Sequence, residues 1–309
     1  MKRLRSNLIL VLAAFIWGAA FSAQSASTEY VGPFTFNATR FIIGGLVLIP
    51  PVLITDRLRR NKHASEQNTL QDKSAGSASY SDSFKEHLLV GILCGIILAV
   101  ASSLQQIGIS LGASAGKAGF ITALYVILVP IFERFLGKRG SLFTWISAVL
   151  AVVGMYLLTS FDEAGLSPGD IMEILCAIAF TFHIIVIDRK AGSLNGVKVS
   201  CIQFFTAGVI CAAIMFFTEN VQLSGIIDCA IPILYAGVFS CGIAYTLQII
   251  GQKNTQPVVA SLLLSLESVF SVITAWLFLG DTMSLKEILG CCIVFIAIVL
   301  AQIPMPRKK

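Results

Sequence analysis

The chain has 309 residues, 56% of them hydrophobic and only 13% charged, with a formal net charge of +5. An ordinary soluble domain carries about 25% charged residues, so a soluble globular protein is excluded: its cores could not hide this much apolar surface. The basic residues cluster at alternate ends of the apolar runs, which excludes a nucleic-acid surface and marks orientation in a membrane instead.

In chain order, residues 1–5 are rich in basic side chains and residues 7–23 are apolar. A signal peptide has this outline, but the run has a counterpart later in the chain and is read as a retained first span. A second span covers about residues 34–55, and about twenty apolar residues suffice to cross a bilayer. Residues 56–86 follow, rich in Ser, Lys, Arg and Gln, and are predicted to form a solvated cytoplasmic loop. Further spans are predicted over about 87–110, 117–135, 141–159, 168–187 and 197–217, then 226–250, 257–279 and 285–303. Ser167-Pro168-Gly169-Asp170 and Ser284-Leu285-Lys286-Glu287 both fit a capping box, in which a hydroxyl and a carboxylate satisfy free backbone N–H groups. Pro130 removes a backbone bond to Val126 and is expected to kink span 4. Gly91 and Gly95 give span 3 a face for close helix packing.

The chain repeats itself. Leu104-Gln105-Gln106-Ile107-Gly108 returns as Leu247-Gln248-Ile249-Ile250-Gly251 at an offset of 143, and Leu136-Gly137 returns as Leu279-Gly280 at the same offset. Before the loop the offset is 163: Trp17 falls on Phe180, Arg40-Phe41 on Gln203-Phe204, and Gly45 on Gly208. The difference places an insertion of about twenty residues within 56–86, where a polar connection tolerates it. The fold class is therefore all-α integral membrane, with ten transmembrane helices as two five-helix repeats, residues 6–160 and 168–303. An odd number of spans per repeat inverts the second half relative to the first, the recurring plan of secondary transporters. With both termini cytoplasmic, 19 of the 22 lysines and arginines fall on inner loops and tails, as the positive-inside rule requires. The eight cysteines show no CxxC pair and no histidines at ligand spacing, which leaves buried thiols rather than a metal site or a disulfide framework.

Two five-span repeats resemble the drug/metabolite transporter superfamily, specifically its EamA-like permeases. The resemblance rests on Trp17-Gly18, Arg40-Phe41, the run Ala115-Gly116-Lys117-Ala118-Gly119-Phe120, and Leu266-Glu267-Ser268-Val269-Phe270 through Leu279-Gly280-Asp281. It covers nearly the whole chain, and its motifs, made of small and apolar residues, identify the fold better than the substrate. Ser268 stands where the family usually has proline, which removes an expected helix break beside Glu267, and Asp281 stands where glutamate is frequent. The resemblance implies a small-molecule carrier of the cell membrane, moving metabolites or drugs by alternating access, commonly as an exporter of amino acids or related compounds.

Polar groups inside the apolar runs are the candidate site. Glu267 lies near the middle of span 9, where a charge costs about 2.5–3.5 kcal/mol; it suits proton coupling, or a hydrogen bond holding the repeats together. Arg40, two turns into span 2, either meets a carboxylate-bearing substrate, pairs with Glu267, or snorkels to headgroups. Gln105, Gln106 and Gln248, with Gln203 as the counterpart of Arg40, offer amides that donate and accept, for a polar ligand or for helix-to-helix bonds. His183 is a second coupling candidate, with Asp188 five residues on, or a satisfied hydrogen-bonding side chain. Trp17, Tyr125 and Tyr245 are candidate cavity walls, or packing groups. Lys117 at the outer mouth either attracts anions or snorkels. The expected cavity is lined by spans 1–4 and 6–9, with spans 5 and 10 as scaffold.

No P-loop or HExxH occurs in the sequence, and its one GxSxG match, Gly112-Ala113-Ser114-Ala115-Gly116, lies between two apolar runs rather than between a strand and a helix, which argues against ATP drive and against an enzyme. No cofactor is expected; the partners are a small-molecule substrate and the bilayer, and coupling to protons or ions and a monomeric or homodimeric state stay open. The alternative function is a passive channel or a non-transporting membrane sensor on the same scaffold.

Overall fold

The computed structural model describes residues 2–69, 76–113, 115–137, 142–158, 167–279 and 284–301. Without water to bond to, each apolar run must close its own backbone hydrogen bonds, so each becomes a helix. The first half contains α1 (Lys2–Ser27), α2 (Pro33–Thr69), α3 (Gly76–Ser110), α4 (Ala115–Thr122), α5 (Tyr125–Phe135) and α6 (Leu142–Leu158). The second contains α7 (Pro168–Lys190), α8 (Gly196–Thr218), α9 (Leu223–Asp228), α10 (Ala230–Leu234), a π-helical stretch (Tyr235–Tyr245), α11 (Thr246–Gln252), α12 (Pro257–Leu264), α13 (Leu266–Leu279) and α14 (Leu285–Ala301). No strand occurs among the described residues. Eight helical stretches are long and apolar enough to cross a membrane, and two shorter apolar helices, Leu142–Leu157 and Ile288–Ala301, accompany them.

Burial is distributed as in a protein that sits in lipid. Val209 and Ile231 are 66% and 82% exposed, while Glu173, His183 and Gln203 are fully buried. The chain is a multi-pass membrane protein.

With no hydrophobic drive between helices in lipid, close approach relies on small residues. A Cβ on Gly18 of α1 would lie 2.7 Å from Phe270 Cβ on α13, and one on Gly95 of α3 would lie 2.7 Å from the backbone oxygen of Gln203 on α8. Gly91 meets Ile202 of α8 in the same way, so the glycine face of span 3 serves packing within the chain. On α6, a Cβ at Gly154 would lie 2.8 Å from the backbone oxygen of Gly290 on α14.

The α2–α8 pair runs antiparallel and is fastened at both ends. At one end Glu219, just past α8, accepts hydrogen bonds from the backbone N–H groups of Phe34 and Thr35, both at 2.8 Å, and from Thr35 Oγ1 at 2.6 Å. A carboxylate there meets the free donors of the α2 N-terminus. At the other end Asp56 of α2 pairs with Lys198 at the start of α8, at 2.6 Å. Asp56 and Glu219 are themselves related by the repeat offset of 163. Midway, Phe41 and Phe204, also related by that offset, stack with centroids 6.0 Å apart.

Three sequence expectations are corrected. The segment 56–86 was expected to be a loop, but α2 continues to Thr69 and α3 begins at Gly76; residues 70–75 lie outside the described residues. Arg, Lys, Gln, Glu and Ala are good helix formers, so a polar run can leave the membrane without leaving the helix. Span 4, expected as one helix from about 117 to 135, is interrupted at Ala123–Leu124, between α4 and α5, and Pro130 lies inside α5. Span 9 is interrupted at Ser265 despite the serine in place of proline at 268: Ser265 Oγ bonds the Leu262 carbonyl at 2.9 Å, and the Ser268 amide reaches back three residues to Ser265. The capping box at Ser167 is present, with Asp170 N–H donating to Ser167 Oγ and Ser167 N–H to Asp170 Oδ2. The second box depends on Glu287, whose side chain lies outside the described residues, as do Gly280 and Asp281.

Candidate functional site

Residues flanking both interruptions, Thr122 and Tyr125 at the first and Leu264 and Glu267 at the second, line one shared cavity. Its walls come from α1, α2, α3, α4, α5 and α7, the π-helical stretch, and α11, α12 and α13. Span 7, the helix α8, contributes no lining residue, whereas the sequence predicted that it would. A π-helical turn displaces side chains from the α register and recurs at functional sites; here it ends at Tyr245, whose ring closes one wall.

Seven of the ten candidate side chains meet at this cavity: Trp17, Arg40, Gln105 and Tyr125 from the first half, and Tyr245, Gln248 and Glu267 from the second. Trp17 packs edge-on against Tyr245 with centroids 4.6 Å apart, and Tyr245 in turn meets Phe204 at 5.7 Å. Tyr125 follows the first interruption and Glu267 the second, and Tyr125 OH donates to Glu267 Oε1 at 3.0 Å.

Arg40 is only 3% exposed. Its guanidinium stands over the rings of Phe36 and Phe41, at 5.2 and 5.0 Å from their centroids, a cation–π setting worth about 0.5–2 kcal/mol. Among the described residues no carboxylate pairs with it, and its Nε is buried without a hydrogen-bond partner. Its burial among the helices sets it apart from a snorkelling side chain, and the expected alternative of an Arg40–Glu267 pair is not formed among the described residues. A buried guanidinium on a cavity wall with no paired carboxylate can receive an anionic group there.

The other three candidates lie outside the lining. Gln106 turns to α1, donating to the Gln24 carbonyl and to Ser27 Oγ, both at 3.1 Å. His183 and Gln203 bond each other at 3.2 Å. Lys117 is paired with Asp170 at 2.8 Å.

Four polar groups that the sequence reading passed over belong to this region. Gln24, Thr122 and Ser240 line the cavity. Glu173, fully buried on α7, accepts a hydrogen bond from Thr122 Oγ1 at 2.8 Å. Its place in an otherwise apolar run was the available signal.

The sequence profile described as the EamA-like transporter family matches the chain twice, at residues 4–160 and 167–302. An uncharacterized transporter from Archaeoglobus fulgidus is 26% identical over 304 residues, covering 98% of this chain and 87% of that protein. The uncharacterized transporter YwfM of Bacillus subtilis is 26% identical over 176 residues, covering 56% of this chain and 50% of YwfM. A protein crystal structure superposes with a TM-score of 0.73 at 20% identity, covering 96% of both chains; this likeness speaks to the fold alone. The relatives are named as transporters and none as an enzyme.

Proposed function

The chain belongs to the EamA-like transporter family, and from that premise we propose that it is a secondary carrier for a small carboxylate-bearing metabolite, an amino acid or a related compound. The observation that carries this reading is Arg40, a buried cation on the cavity wall with no counter-charge of its own. A substrate carboxylate would complete the pair, and the amides of Gln105 and Gln248 would take its polar groups. Glu267, across the cavity with Tyr125, is the coupling group.

The proposed architecture is ten spanning helices in two inverted repeats, set in the cell membrane with both termini cytoplasmic and the substrate carried outward. Support comes from the stacking of Phe41 on its counterpart Phe204, and from interruptions at nearly equivalent places in spans 4 and 9. Interrupted helices beside a central site are a recurring feature of carriers that work by alternating access.

The test is uptake into proteoliposomes holding the purified chain, using labelled amino acids, other carboxylates and cationic drugs, with and without a pH gradient. Saturable uptake of a carboxylate is expected, and Arg40→Leu should raise its KM about 10-fold to 100-fold, the worth of one charged hydrogen bond. Arg40→Lys should recover part of the loss. Saturable flux of cations alone, unchanged in Arg40→Leu, would overturn the reading.

A further inference from the structure

Two helix crossings in this protein are built alike and filled differently. Where α11 meets α1, a Cβ on Gly251 would lie 2.7 Å from Leu10 Cγ; where α3 meets α7, a Cβ on Gly108 would lie 2.7 Å from Glu173 Oε1. Gly251 is the counterpart of Gly108 at the offset of 143, and Glu173 is the counterpart of Leu10 at the offset of 163. A leucine therefore fills this slot well, and packing gives no reason for a carboxyl group in it.

The carboxyl is also poorly provided for. Glu173 Oε2 accepts from Thr122 Oγ1 at 2.8 Å, but Oε1 is buried with no hydrogen-bond partner among the described residues. No cation pairs with it there. An ionised carboxylate in such a place costs several kcal/mol, a cost that leucine would avoid. A group kept at this expense calls for a chemical use.

We propose that Glu173 is a second proton-carrying site of this protein, set between the Pro168 end of α7 and the cavity and working in series with Glu267. The proposal rests on the carrier reading above. On the Pro168 side, Asp170 lies one turn earlier on the same helix face, bonded to the partly exposed Lys117, and its Oδ1 has no hydrogen-bond partner. On the cavity side, Thr122 lines the wall and accepts from Gln105 Nε2 at 3.3 Å. The charged and titratable groups around Glu173 are Asp170 and Cys176 on α7, Lys117 on α4, Tyr125 on α5 and Glu267 on α13. From α3 the Gln105 amide reaches Thr122 beside Glu173, and α12 carries no charged residue.

In the proton step, hydronium at the Pro168 end gives its proton to Glu173 and becomes water, and an O–H bond forms on the carboxyl. The Thr122 hydroxyl, which donates to ionised Glu173, then turns its proton to the cavity; on release the Glu173 O–H bond breaks, its proton passes to Thr122 Oγ1, and the hydroxyl's own proton leaves for water in the cavity as hydronium, so threonine ends neutral. From the cavity the proton reaches Glu267.

The experiment uses the full chain in proteoliposomes, wild type and Glu173→Gln, with a mixture of labelled amino acids as the probe. Uptake driven by a pH gradient should fall about tenfold in the variant, while exchange at equal pH on both sides stays within about twofold. In parallel, wild-type protein in the bilayer is treated with dicyclohexylcarbodiimide, which reacts with protonated buried carboxyls. The peptide carrying Glu173 should gain the adduct in acid and lose it as pH rises. Equal gradient-driven uptake in the two proteins, a parallel fall of exchange, or Glu173 unlabelled at every pH would overturn the proposal. Absence of all amino-acid flux in the wild type would count against the carrier reading, and the labelling would then decide the proton site alone. If Glu173→Gln fails to insert, the wild-type labelling likewise decides.

Discussion

Thr122, at the end of α4, and Ser265, at the end of α12, are counterparts at the offset of 143 that relates the two halves. Each carries a hydroxyl at the point where its helix is interrupted. Ser265 turns its hydroxyl back onto its own helix, to the Leu262 carbonyl at 2.9 Å. Thr122 sends its hydroxyl sideways, to Glu173 on another helix at 2.8 Å. The backbone is handled alike at both places and the chemistry is not. The second interruption presents Glu267 to the cavity and is closed in itself; the first presents Tyr125 and joins a polar chain that runs toward the Pro168 end of α7. Under the proposals above, each half would present one working face with a different task.

Substitutions at the two interruptions test that contrast. The largest effect is expected from Glu267→Gln, which keeps an acceptor for Tyr125 but cannot carry a proton: gradient-driven transport in proteoliposomes should drop by at least about 100-fold, with the protein still folded and inserted. Transport that follows the gradient as before would reduce Glu267 to a packing group. Thr122→Val should come next, lowering gradient-driven flux about 5-fold to 10-fold by leaving Glu173 without its one hydrogen bond, worth about 1–1.5 kcal/mol. Ser265→Ala should change flux by less than about twofold, since the lost bond is local and the helix is interrupted with or without it. Equal effects at Thr122 and Ser265 would erase the contrast.

Much of this was legible beforehand, for physical reasons that also mark where legibility stops. Apolar runs of bilayer length gave spans that match α7 and α8 to within a few residues. The polar run after Thr55 told of water but not of backbone, and α2 continues through it. The π-helical stretch had no signal, because its counterpart in α3, equally rich in small residues, is ordinary α-helix. At the cavity, isolated polar and aromatic residues in apolar runs converged because lipid rejects them. Neighbouring residues on a helix point about 100° apart, so only one of Gln105 and Gln106 could face the cavity, and the sequence could not say which. His183 and Gln203 bond each other, a partnership between helices that spacing along the chain does not encode.

The two fastenings of α2 to α8 lie 22 residues apart along α2, about 33 Å at 1.5 Å per residue, close to the thickness of the hydrocarbon layer. Two rods tied at both ends can neither slide nor splay without parting a charged contact at one membrane surface. On the carrier reading proposed above, this pair is the door frame, and the interrupted helices, where a few backbone bonds are already missing, are where the leaf would hang.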